Sequence, residues 1–289
     1  MFDFAKFSEI PEYKSIKYTY KYLPYEHKWG VYEDNTQISS IDKLDPDKIE
    51  TTGIITKDIE IIEDFKKFML RPEFLLDNFD VPNDPSELAD VYEALFVGSV
   101  LYKVACRNPE ADPDDAWPQI DRALKWLRST DFYTAPASSR FNDSFEGGLC
   151  YHSIKVAARA VELMSSYKFN NKDKVGDAVF CALVHDWCKI GLYESFMKNV
   201  KNEQTGVWEK EKAYRYRGES FMNLGHGVSS MFLISKFFRL SIEEASAIRW
   251  HMGAYRTDAN EFNELQTSNE NFMLVHLIQF ADQLSLVKY

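Results

Sequence analysis

Long hydrophobic runs are missing from this 289-residue chain: no stretch reaches the ~20 apolar residues of a membrane-spanning helix. The opening segment MFDFAKFSEIPEYK also lacks a basic region followed by an apolar one, so neither insertion nor secretion is indicated and a cytoplasmic protein is expected. Cysteine is sparse. Cys106, Cys150, Cys181 and Cys188 show no CxxC spacing and none of the tight pairing of a small secreted scaffold, and they read as reduced thiols. No internal repeat or low-complexity tract is evident. Positive charge falls short of negative by 11, and the whole deficit lies in residues 31–95, where 17 acidic side chains outnumber 6 basic ones. Whole-chain acidity argues against a broad electrostatic grip on nucleic acid but leaves room for a local phosphate site in the electroneutral remainder.

What is present, 45% hydrophobic residues with 15% aromatics, is enough for a well-filled core. Two regions are expected. In residues 1–130, the Tyr-, Ile- and Thr-rich part from 12 to 62 suits a few short strands, and from Asp84 the signals turn helical. DPSELADVYEALF offers an aspartate cap with proline at the first helical position, and DPDDAWPQIDRALKWLRS starts the same way. In residues 131–289 helices take over after the lead-in TDFYTAPASSRFNDSFEGG. They are expected at about 149–167 and 174–189, from near His226, between the Ser241/Glu244 capping box and Gly253, and at about 271–286. A hairpin insertion is expected at 194–219, with its turn at QTG. The expected fold class is mainly α: five or more helices around a common interior, with a smaller N-terminal region containing short strands.

The stretch ALVHDWCKIG places an ionisable pair inside a run that otherwise reads as a buried helix. Val175, Val179, Ala182, Asp186 and Lys189 share one helical face, so the carboxylate points inward and needs a cation or several donors there. Leu149, His152, Val156, Ala160 and Leu163 form a second such stripe, and Asn271, Val275, Ile278 and Asp282 a third. His251 follows Ile248 by three near the end of the capped helix, and His226 stands at the mouth of its own. Singly, each has an ordinary explanation as a hydrogen-bonded core residue. Jointly, four histidines and two aspartates fall on five expected helices in the order H…HD…H…H…D, a mixed imidazole and carboxylate set that suits Mn, Fe, Co, Ni or Zn. His27 and His276 stand outside the pattern.

This order resembles the HD-domain superfamily of metal-dependent phosphohydrolases, on His152, His185, Asp186, His226, His251 and Asp282. Lys189 matches a basic residue often found just after the HD pair. The resemblance covers residues 131–289, and TAPASSRFNDSFEGGLCYHS looks like the lead-in of the branch containing 3′-to-5′ exoribonucleases, with Asn142 or Asp143 where that branch usually carries histidine. It implies an HD-type helical bundle with two divalent transition-metal ions (Fe, Mn, Co, Ni or Zn). His152, His185, Asp186 and Asp282 are expected around the first, and His226, His251 and a bridging Asp186 around the second. The implied activity is hydrolysis of a nucleotide phosphate ester or an oligonucleotide 3′ end by a metal-activated hydroxide, with Asp186 and Lys189 as catalytic residues. Lys189, Arg140 and Arg249 are the candidate phosphate contacts. The same ligands also fit an HD-type di-iron oxygenase acting on a small organic substrate, or a non-catalytic nucleotide-binding module.

Overall fold

Between residues 12 and 51, aromatic and β-branched side chains build an antiparallel meander in the order β1-β2-β3-β4-β5, with β1 Glu12–Lys14, β2 Thr19–Leu23, β3 Lys28–Glu33, β4 Thr36–Asp42 and β5 Ile49–Thr51. Tyr20 stands opposite Val31 and Trp29 opposite Ile41, and the register shifts between Val31 and Tyr32. Val31 and Ile41 are fully buried. The computed structural model describes residues 12–14, 18–23, 28–33, 36–42, 49–51, 85–107, 113–166, 174–217, 224–255 and 257–287. The tail of the strand region expected at 52–62, the aspartate cap at Asp84 and His27 lie outside them.

The chain divides into Met1–Asp80 and Val81–Tyr289, not at residue 130 as the sequence suggested. The reason lies in α1 (Pro85–Arg107), which carries Leu88, Tyr92 and Phe96 into the same core as the later helices. Tyr92 packs against Phe132 with ring centroids 4.6 Å apart, and Phe96 lies 6.1 Å from both Phe180 and Trp187. After a short 3-10 turn come α2 (Trp117–Arg128), α3 (Gly148–Ser166) and α4 (Val175–Val184). A second 3-10 turn, Trp187–Lys189, leads into the hairpin of β6 (Tyr193–Lys201) and β7 (Trp208–Tyr216), which reverses through residues 202–207 as expected. Then follow α5 (His226–Ile234), α6 (Ile242–Arg249), α7 (Ala259–Asn271) and α8 (Met273–Ser285). The described chain is thus mainly helical with two small antiparallel sheets. No helix among the described residues is long and apolar enough to cross a membrane.

Two elements differ from expectation. The helix expected to run to Lys189 stops at Val184, and α7 was not anticipated at all. Only Leu265 of α7 is buried, so it carries no apolar stripe; it is started instead by a capping box in which Asp258 accepts from Glu261 N and Glu261 reaches back to Asp258 N.

An ion network, buried except at Arg107, fixes the starts of α4 and α6 against α1. Lys103 Nζ lies 2.8 Å from Glu244 Oε1, and Arg107 reaches Asp177 at 2.8 Å and Glu244 Oε2 at 3.1 Å. Glu244 also closes the expected box with Ser241, accepting from Ser241 N at 2.7 Å and donating its own N–H to Ser241 Oγ. Because both helices start at this network, both run the same way and end together.

Candidate metal centre

Where α4 and α6 end, each is followed by a histidine that turns back onto its own helix. His185 Nδ1 lies 2.7 Å from the Ala182 carbonyl, and His251 Nδ1 lies 2.7 Å from the Ile248 carbonyl. A carbonyl oxygen only accepts, so each Nδ1 carries the hydrogen, and in the neutral ring each Nε2 is left with a bare lone pair. Tyr92 O–H takes the next carbonyl, Leu183, at 2.9 Å and accepts from Trp187 Nε1–H at 3.0 Å. These side-chain bonds replace the helical ones, which is why α4 breaks at the HD pair. The carbonyl ends of two helices, the negative poles of their dipoles, therefore face one spot. The His185 and His251 rings stand 4.9 Å apart there.

The remaining groups arrive from α3, α8 and the turn after α4. His152 Nε2 is 3.2 Å from Asp282 Oδ1 and 3.6 Å from Asp186 Oδ2; Asp186 Oδ2 is 3.2 Å from His185 Nε2, and Asp186 Oδ1 is 3.6 Å from His251 Nε2. All five residues are buried. Within this cluster His152, His185 and Asp186, and likewise His185, His251 and Asp282, each present ligand atoms within 4.8 Å of one another. Lys189 Nζ approaches Asp186 Oδ2 at 2.6 Å.

Charge is distributed unevenly among these groups. Burial pushes the Asp282 carboxyl up, but the hydrogen bond and charge of His152 outweigh it and hold it down at about 2. Asp186 is likewise raised by burial and pulled well below the carboxylate range by Lys189, His185 and His251. Burial disfavours the His152 cation, yet hydrogen bonds to Asp143 and Asp282 raise it to about 8. His251 goes the other way, to about 4, through burial and the neighbouring His185. It is neutral at physiological pH.

This set fits a cation. His185 Nε2, His251 Nε2 and Asp186 Oδ1 are all buried without a hydrogen-bond partner, although each such group left unpaired is costly. In the neutral rings they are acceptors facing acceptors, an arrangement that an ion among them relieves.

Of the residues singled out in the sequence, five meet here, and Lys189 borders them. His226 does not join His251, which sits with His185 and Asp282; it is exposed at the start of α5, grouped with Asp186 and Cys188. Arg249 is engaged elsewhere, with Glu264 at 2.7 Å and its guanidinium over the Trp250 ring. Arg140 is exposed in the lead-in loop. His276 Nε2 lies 2.9 Å from the Asn269 carbonyl, away from the cluster, as its helical phase required.

Sequence reasoning missed the supports. Asp143 Oδ2 lies 3.4 Å from His152 Nδ1, and Lys155 donates to Asp143 Oδ1 at 3.0 Å. Asp143 has φ of 54°, and its carbonyl comes so near Gly148 that a Cβ there would stand 2.0 Å from it. GG at the start of α3 was the available signal. Cys188, read as an ordinary thiol, has Sγ 3.5 Å from His226 Nδ1, and burial with the Asp186 charge pushes it up to about 12.

The lead-in loop and the hairpin border an open cavity of about 310 Å³, lined by Asp131, Thr134, Glu146, Tyr193, Lys212 and Arg217 among others and by none of the cluster residues. Asp131 Oδ1 accepts from Gly191 N, two residues past Lys189, at 2.8 Å. Burial, Tyr216 and then the Asp186 charge push the Tyr193 hydroxyl up. Compared with family models, curated proteins and solved structures, the chain gives no match.

Proposed function

We propose that the chain is an HD-type metal-dependent phosphohydrolase that cleaves a phosphate ester of a nucleotide or of an oligonucleotide 3′ end. The observation that carries the reading is the set of buried Nε2 and Oδ1 atoms of His185, His251 and Asp186 that have no hydrogen-bond partner. His152, His185, Asp186, His251 and Asp282 would hold one divalent transition-metal ion, and Asp186 with His226 a second. Bound there, such ions supply an activated water and a positive field for the phosphoryl oxygens. The Ala182 and Ile248 carbonyls fix the ring tautomers, and Asp143 orients His152. Lys189, whose ammonium pairs with Asp186 at the edge of the cluster, would hold a phosphate oxygen. The open cavity between the lead-in loop and the hairpin, close to the lower end of the ~300–1,000 Å³ typical of ligand pockets, suits the organic part of a small ester.

The test is elemental analysis followed by turnover of nucleotides, cyclic dinucleotides, short RNA and single-stranded DNA by protein loaded separately with Mn, Fe, Co, Ni and Zn. Hydrolysis by at least one loaded form, lost in Asp186→Ala, is expected. Inactivity with every ion would remove the proposal. Oxygen uptake restricted to the iron form would move the chain to the oxygenase class, whereas full activity with redox-inert Zn would exclude that class.

A further inference from the structure

On the solvent side of Asp186, three potential ligand atoms from Asp186, Cys188 and His226 lie within 4.8 Å of one another. Cys188 Sγ is 3.5 Å from His226 Nδ1. Typical bonds of ~2.3 Å to thiolate sulfur and ~2.1 Å to imidazole nitrogen, opened to a tetrahedral angle, separate two ligands of one ion by about 3.6 Å. The observed separation therefore needs no rearrangement to span an ion. Two further observations support a built site. Cys188 N donates to Ser230 Oγ at 3.1 Å, and Ser230 lies one helical turn after His226 on α5, so a single bond holds the thiol and the imidazole in register. Asp186, the third member of the group, has its Oδ1 buried and unpartnered.

We infer that Cys188 is a metal ligand, its thiolate joining His226 and Asp186 around an ion at the mouth of the cluster. On binding, the Cys188 S–H bond breaks, its electron pair forms the sulfur–metal bond, and the proton leaves to solvent. The histidines and aspartates make the inner cluster oxygen- and nitrogen-rich, whereas this outer position adds a soft donor and selects Zn, Co or Fe over Mg or Mn. The inference rests on the metal-binding reading above.

Cobalt(II) titration of the full chain tests it, because a cobalt–thiolate bond produces a near-ultraviolet charge-transfer band that nitrogen and oxygen ligands do not. The band is expected in the wild type and in Cys106→Ser, and is expected to vanish in Cys188→Ser and Cys188→Ala, with at least about tenfold weaker binding of one cobalt equivalent. If either variant fails to fold, mass-spectrometric mapping of iodoacetamide labelling on the wild type replaces it, with Cys188 expected to be shielded by cobalt. Cobalt binding without the band, a band that persists in Cys188→Ser, or cobalt that leaves Cys188 labelling unchanged overturns the thiolate ligand alone. A wild-type chain that takes up no cobalt but binds another of the five ions overturns this inference alone, and one that takes up none of the five overturns it together with the phosphohydrolase reading.

Discussion

Two histidines of the cluster carry opposite proton preferences, and the sign of each can be followed into stability. His152 has a folded-state value of about 8, above its ordinary 6.5, so its contribution is complete below about pH 6.5 and is lost as pH rises through 8. That difference is worth on the order of 2 kcal/mol. His251, at about 4, is held neutral, so its contribution is complete above 6.5 and is lost as pH falls from there toward 4. Metal-stripped protein is therefore expected to be most stable near neutrality, with stability declining on both sides. Urea midpoints in chelator at about pH 5, 6.5 and 8.5 measure this. His152→Gln should flatten the alkaline limb and spare the acid one; an unchanged alkaline limb would show that His152 does not hold its extra proton.

At the scale of elements, α4 and α6 are levers with an ionic pivot at one end and a ligand at the other. Glu244 serves both the α6 cap and the pairs with buried Lys103 and exposed Arg107. Glu244→Ala strands a buried ammonium and should cost about 3–5 kcal/mol, whereas Ser241→Ala removes only the cap and should cost about 1 kcal/mol. Denaturant unfolding distinguishes them; equal losses would contradict the dual role. Gly227 marks another contact between elements, since a Cβ there would stand 2.1 Å from the Arg249 carbonyl. Gly227→Ala must push α5 from the end of α6. It should weaken metal uptake, read by elemental analysis after dialysis, even though residue 227 touches no ion.

At the scale of the whole molecule, the centre joins segments from residue 152 to residue 282, so an ion held there ties α3, α4, α6 and α8 together. Binding to the folded state alone stabilises it by mass action, roughly 2.7 kcal/mol at a free-ion concentration 100 times the dissociation constant. The melting temperature should rise with added Zn or Co and fall with chelator. Asp186→Ala should show a smaller difference between the two than the wild type, because Asp186 belongs to two of the three groups of ligands while His185, His251 and Asp282 form the third. A wild-type melting temperature indifferent to chelator and added ion would argue against a structural stake in the metal.

The local record in the sequence was sufficient for much of this. Helical phase put His152 and Asp282 on apolar faces and set His276 apart, and the Ser241/Glu244 box marked the start of α6, because these features depend on neighbours within one or two turns; Asp186 is buried as expected, although the helix assumed to carry it ends at Val184. The hairpin turn and the strand-forming composition of the first region were legible for the same reason. Polar α7 left no periodic trace, and the early end of α4 could not be read, because its carbonyls are taken by Tyr92 from 91 residues away as well as by His185. Which ligands meet was also decided by packing: His251 joined His185 and Asp282, while His226 met Cys188 across 38 residues. Contacts of that separation are chosen by how helix faces bury one another, and only the folded chain contains that choice.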